Sequence, residues 1–117
     1  MDEPGETRFR ALAVHGSEAR ATLTPAHAER LCAGHFPGQP LVPGAALVGL
    51  MAEVAARAAG RPDAAPAEVV RAVFVTRVHP RDPIEITARA RAGRVDADVR
   101  CAGRRAARAT FRFGAPR

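Results

Sequence analysis

The sequence predicts an α+β fold in which one curved antiparallel sheet wraps around a single central helix. Three observations carry this. One segment, Pro43 to about Ala59, is apolar nearly all round, and a helix apolar on most sides must be buried on most sides. Three later runs alternate apolar and polar residues at a period of two, the mark of strands with one dry face and one wet one. Short turn signals separate those runs, so neighbours fold back on each other as an antiparallel meander. With 117 residues the chain is expected to form one domain over 1–117.

Taken in order, residues 1–7 read as a polar start. Arg8 to Val14 and Ala19 to Leu23 are short extended runs joined through His15-Gly16-Ser17-Glu18, a connection suited to a hairpin. Thr24 to Pro43 carries Pro25, Pro37, Pro40 and Pro43 and is expected to be a packed irregular loop, because proline removes backbone donors and fixes φ. Pro43-Gly44 opens the helix and Gly60-Arg61-Pro62 stops it. Its two charges, Glu53 and Arg57, stand in the order that favours a helical ion pair. Val69 to Val78 is a strand apolar on both faces. Ile84, Ile86, Ala88 and Ala90 share one parity, as do Val95, Ala97, Val99 and Cys101, and then Ala107, Ala109, Phe111 and Phe113. Gly93 and Ala102-Gly103 mark the turns between them.

Composition bounds the function classes. The chain has 18 basic residues, all arginine, against 12 acidic ones, for a net charge of +6. That permits an acidic partner but does not choose one. Nucleic acid is not expected: stacking aromatics are scarce, Trp and Tyr are absent, and no recognition helix is available. Cys32 and Cys101 fit neither a disulfide framework nor a metal-ligand spacing, so no metal or other cofactor is expected. The acidic start lacks an apolar leader and no run is long enough to span a membrane, so a soluble cytoplasmic protein is expected.

The most specific segment is Gly34-His35-Phe36-Pro37-Gly38-Gln39-Pro40-Leu41-Val42-Pro43-Gly44, which leads straight into the apolar helix. Pro37 and Pro40 stiffen a loop carrying His35, and Pro43-Gly44 places a helix N-terminus with unpaired N–H groups close by. Such donors suit a carbonyl oxygen acquiring negative charge, and a nearby imidazole can take or return a proton near neutral pH.

This run, with the strand, loop, helix, strand order around it, resembles the hot-dog-fold 3-hydroxyacyl-acyl-carrier-protein dehydratases. The resemblance implies that His35 removes the α-proton of a 3-hydroxyacyl thioester while the Gly44 N–H binds its carbonyl. Phe36, Gly44, Leu47, Val48 and Met51 would line an apolar substrate tunnel. The implied substrate is carried by acyl carrier protein or coenzyme A, in fatty acid or polyketide-type biosynthesis, and the implied assembly is a homodimer with each site at the subunit boundary.

One position departs from that family. It places a carboxylate on the helix fourteen residues after the histidine, and here that residue is Gly49. Glu53, one turn further along the same face, is the only carboxylate on the helix and the candidate catalytic acid. An ion-pair role for Glu53 is the competing reading. Two other functions stay open: an acyl thioesterase with Glu53 activating water, and a non-catalytic subunit of a heteromeric hot-dog dehydratase. His15, His27 and His79 are read as solvated, and Cys32 as a small buried hydrophobe.

Overall fold

A computed structural model of the chain describes residues 8–32 and 41–114. The alternating runs become one six-stranded sheet, antiparallel at every pairing: β1 (Phe9–His15), β2 (Glu18–Leu23), β3 (Glu68–Phe74), β4 (Ile84–Arg91), β5 (Arg94–Cys101) and β6 (Arg104–Arg112), in the spatial order β1-β2-β4-β5-β6-β3. The apolar parity of each late strand faces inward, with Ile84, Ile86, Val95, Val99 and Phe111 all buried.

The turns follow the glycine signals. Ala92-Gly93 and Ala102-Gly103 both have positive φ at each central residue, 47° and 80° in the first and 54° and 81° in the second. That geometry matches the twist of the flanking strands in two-residue hairpins. Gly16, at φ 60°, closes the β1–β2 hairpin.

Among the described residues, two helices accompany the sheet. The central one, α2 (Gly44–Ala58), buries Leu47, Leu50, Met51, Val54, Ala55, Ala56 and Ala58. Met51 and Val54 have no exposed surface, and burial of a side chain of this size contributes about 1.5–3 kcal/mol. Its C-terminus is a Schellman turn: Gly60 N–H donates to Arg57 O at 3.1 Å and Arg61 N–H to Ala56 O at 2.9 Å, with Gly60 at φ 74°.

The other helix, α1 (Pro25–Cys32), corrects the expectation of an irregular stretch from Thr24 to Pro43 and of a single helix. Thr24 is its N-cap, its Oγ1 accepting the His27 N–H at 3.3 Å. Pro25 at the first helical position gives up a donor that would have no partner there. The proline taken as a loop signal is therefore a helix start. Residues 33–40 of the stretch, His35 and Phe36 among them, lie outside the described residues.

β3 also differs. It ends at Phe74, short of Val78, because Val75 N–H (2.7 Å) and Thr76 N–H (3.2 Å) both turn to Ala106 O. It is an edge strand, hydrogen-bonded only to β6, and Val69, Phe74 and Val75 are 46%, 51% and 62% exposed. The outer face of the sheet is a ladder of ion pairs: Arg91 to Asp96, Arg105 to Asp98, Arg89 to Glu18, Arg20 to Glu85 and Arg112 to Glu68.

Candidate active site

The helix start predicted to hold an oxyanion opens onto a groove. Pro43 is the N-cap of α2 and has no side chain able to accept a hydrogen bond, so no side chain caps the helix. Leu47 N–H is the first helical donor to find a carbonyl, that of Pro43, at 3.1 Å. The N–H groups of Gly44, Ala45 and Ala46 thus lack a hydrogen-bond acceptor among the described residues, as three of the unpaired donors at a helix start.

The groove has a volume of about 430 Å³ and lies between this helix start and the chain leaving β3. Gly44 and Leu47 form one wall and Phe74, Val75 and Thr76 the other, and Arg77 is the one charged residue among the described residues that line it. Val42 N–H donates to Val78 O at 2.9 Å. That bond ties the chain just before α2 to the groove wall.

The Phe74 ring packs closely against position 44. A Cβ on Gly44 would stand 3.2 Å from both Cε1 and Cζ of the Phe74 ring, closer than ordinary van der Waals contact. The ring stands beside Gly44 and makes the groove apolar at the helix start. An apolar surround strengthens donors aimed at a developing negative charge.

Of the residues singled out in the sequence, the structure brings Gly44 and Leu47 together in this groove. Met51 lies wholly inside the core and Val48 is half-buried, and neither lines the groove. The missed lining residues are Phe74, Val75, Thr76, Arg77 and Val78. Their signal was the doubly apolar run Val69 to Val78, whose end supplies the second wall.

Glu53 does not form the expected side-chain pair with Arg57. Arg57 Nη1 donates instead to the Glu53 backbone carbonyl at 3.0 Å. The Glu53 carboxylate turns to Arg8, whose Nη2 lies 3.0 Å from Oε1. Oε1 is buried and receives no well-aligned hydrogen bond, so the contact is an ion pair rather than a directed bond. Gly49, one turn earlier, is exposed, and a Cβ there would meet nothing within 4 Å.

The remaining titratable groups are structural. Burial pushes the Cys32 thiol up, helped by the charge of Glu29. Burial does the same to Cys101, against a hydrogen bond from the His79 backbone. No group of three or more His, Cys, Asp or Glu among the described residues could hold a metal ion. No helix among them is long and apolar enough to cross a membrane.

The sequence matches a family model described as ApeI dehydratase over residues 12–111. The chain belongs to the ApeI-like dehydratase family. Its fold is similar to that in the dehydratase heterocomplex ApeI:P from Xenorhabdus doucetiae, with a TM-score of 0.69 and 17% identity over 95% of this chain and 90% of that one. An uncharacterized protein from Erwinia carotovora subsp. atroseptica is similar at a TM-score of 0.63 and 16% identity, over 86% and 87% of the two chains. No curated protein matches the sequence. The curved antiparallel sheet around α2 is thus the hot-dog fold of ApeI-like dehydratases.

Proposed function

We propose that this ApeI-like protein takes part in the dehydration of 3-hydroxyacyl thioesters. The observation that carries the reading is the uncapped start of α2 in an apolar groove under Phe74. The thioester carbonyl accepts the Gly44 N–H, which lowers the cost of the enolate-like charge that builds when the α-proton leaves. His35 takes that proton. The Cα–Cβ double bond forms as the Cβ–O bond breaks, and the hydroxyl, protonated by a general acid, departs as water.

Glu53 is the acid α2 offers, and to act it would have to leave Arg8. Its engagement there, together with Gly49 where the resemblance puts a carboxylate, favours a second reading. In that reading the chain supplies the His35 and Gly44 half of a heteromeric dehydratase and a partner subunit supplies the acid. Thioester hydrolysis is the remaining alternative.

An exposed, doubly apolar edge strand supports association in either case. Among the described residues, the free edge of β3 offers unpaired backbone groups beside Val69, Phe74 and Val75, and the groove begins at Phe74, where that strand ends. We propose that a second hot-dog subunit, a copy of this chain or a relative, covers it in the cytoplasm. The test compares turnover of 3-hydroxyacyl thioesters by wild type, His35→Ala and Glu53→Gln. Loss with His35→Ala is required. A drop on the order of a hundredfold with Glu53→Gln assigns it the acid, and unchanged turnover assigns the acid to the partner subunit.

A further inference from the structure

An irregularity in β6 decides where β3 ends and which side chain it leaves at the helix start. Val99 pairs with Ala107 and Arg100 with Arg105, so Ala106 is an extra residue between two pairs, a β-bulge of the kind that redirects a side chain near a site. The Ala106 carbonyl accepts both the Val75 N–H at 2.7 Å and the Thr76 N–H at 3.2 Å. Phe74, paired with Ala107, is therefore the last residue of β3. It shares the inward face of the sheet with Ala107 and Ala109, which are buried, yet it is itself half-exposed.

The ring presents one edge to the start of α2. Its Cε1 and Cζ stand 3.2 Å, and its Cδ1 3.7 Å, from the place a Cβ on Gly44 would take. Less room than a methyl group needs is left there. A Cβ lies about 2.5 Å from its own nitrogen, so Cε1 and Cζ lie within about 6 Å of the Gly44 nitrogen. An oxygen accepting the Gly44 N–H sits about 2.9 Å from that nitrogen. Gly44 and Phe74 line opposite walls of the groove, so a carbonyl bound at the helix start has the ring across from it, within contact range of the carbon next in the chain. A phenyl ring carries no charge and makes no directed bond here, and its selectivity is one of shape.

We propose that Phe74 is a specificity-determining residue that contacts the α-carbon of the bound acyl group and favours thioesters unbranched at that carbon. The inference rests on the dehydratase reading for the carbonyl held by the Gly44 N–H. The acyl arm faces the ring because Phe74 belongs to the core side of the sheet, where apolar carbons leave water, whereas the sulfur arm leads out to its carrier. A hydrogen on the α-carbon fits against the ring edge. A methyl group in its place drives the ring off Gly44. The half-exposed ring moves without unfolding the protein, but a displaced ring gives up its contact with the acyl chain, so the penalty falls on substrate binding and on the barrier. One carbon too many in an apolar pocket discriminates by roughly tenfold or more.

The test compares kcat/KM for 3-hydroxybutyryl and 2-methyl-3-hydroxybutyryl N-acetylcysteamine thioesters, taking the faster epimer of the branched one, in wild type, Phe74→Leu and Phe74→Ala. Wild type should favour the unbranched thioester by roughly tenfold or more, and Phe74→Ala should bring the two within about threefold, chiefly by a gain on the branched one. Phe74→Leu should fall between. An equal loss on both substrates in Phe74→Ala would mark a structural role and overturn the proposal, as would equal wild-type rates. Binding is read separately by NMR titration with butyryl and 2-methylbutyryl amides of the same arm, in which N–H replaces sulfur and neither dehydration nor ready hydrolysis follows. A preference of roughly tenfold for the unbranched amide that Phe74→Ala loses supports the contact even if no thioester is turned over, in which case the dehydratase reading alone fails. No binding to the wild type, no preference, or a preference the variant keeps refutes it.

Discussion

Gly49→Ala should stabilise this protein. Position 49 lies mid-helix in α2 and faces solvent, and a Cβ there would meet no atom within 4 Å. Glycine in a helix interior is about 1 kcal/mol less favourable than alanine, and no contact at this position offsets the difference. For 117 residues, an unfolding entropy of about 2.1 cal/mol/K per residue makes the gain worth about 4 °C in Tm. Gly49→Glu should gain less, because its charge stands four residues before that of Glu53 and the repulsion costs a few tenths of a kcal/mol. Scanning calorimetry reads both. The second variant also puts a carboxylate at the helix position where hot-dog dehydratases carry one. Thioester dehydration should then rise on the order of a hundredfold over wild type, with Gly49→Ala unchanged as the control. A fall in Tm for Gly49→Ala would refute the reasoning, since something would have to occupy the space beside the helix. A stable Gly49→Glu without a rate gain would refute the idea that this missing carboxylate limits the reaction.

Gly44→Ala should keep its stability within about 1 kcal/mol, because the half-exposed Phe74 ring can swing away from the new methyl group. It should nonetheless weaken thioester binding, measured as KM. Partial burial alone would raise the Asp96 carboxyl, but hydrogen bonds from Thr110 and Arg91 and the charges of Arg91 and Arg108 outweigh it and hold the group below its ordinary value of 3.8. A depressed carboxyl stabilises the fold above its unfolded value, and that contribution is lost as pH falls through the folded one. Denaturant melts between pH 6 and 2 should therefore show a smaller acid-induced loss below about pH 4 for Asp96→Asn than for wild type. Cys32 and Cys101, both buried and both raised, should react with a thiol reagent only as the protein unfolds.

The sequence made the late strands and α2 legible because their signals are local. The parity of Ile84, Ile86 and Ala88 and the glycine after Ala58 and Ala59 act within a few residues. α1 was hidden by its own start, where Thr24-Pro25 reads equally as a loop or as a cap followed by a first-turn proline. The site was harder because its second wall is remote in sequence. Nothing around Gly44 announces Phe74, thirty residues later, and nothing around Glu53 announces Arg8. Both contacts follow from strand order, which places β3 at one edge and β1 at the other. The Val69 to Val78 run carried its information in its pattern: apolar on both faces yet exposed in one chain, it marks an edge that a second subunit would cover.

Mass spectrometry of 3-hydroxyacyl thioesters incubated with the wild-type protein in deuterated water tests the central claim most directly. Deuterium should enter at the α-carbon, the mark of proton removal beside a bound carbonyl. An enoyl product lighter by one water should form from this chain alone or once a partner subunit supplies the acid. Release of the free acid, or thioesters recovered without deuterium, would contradict that claim.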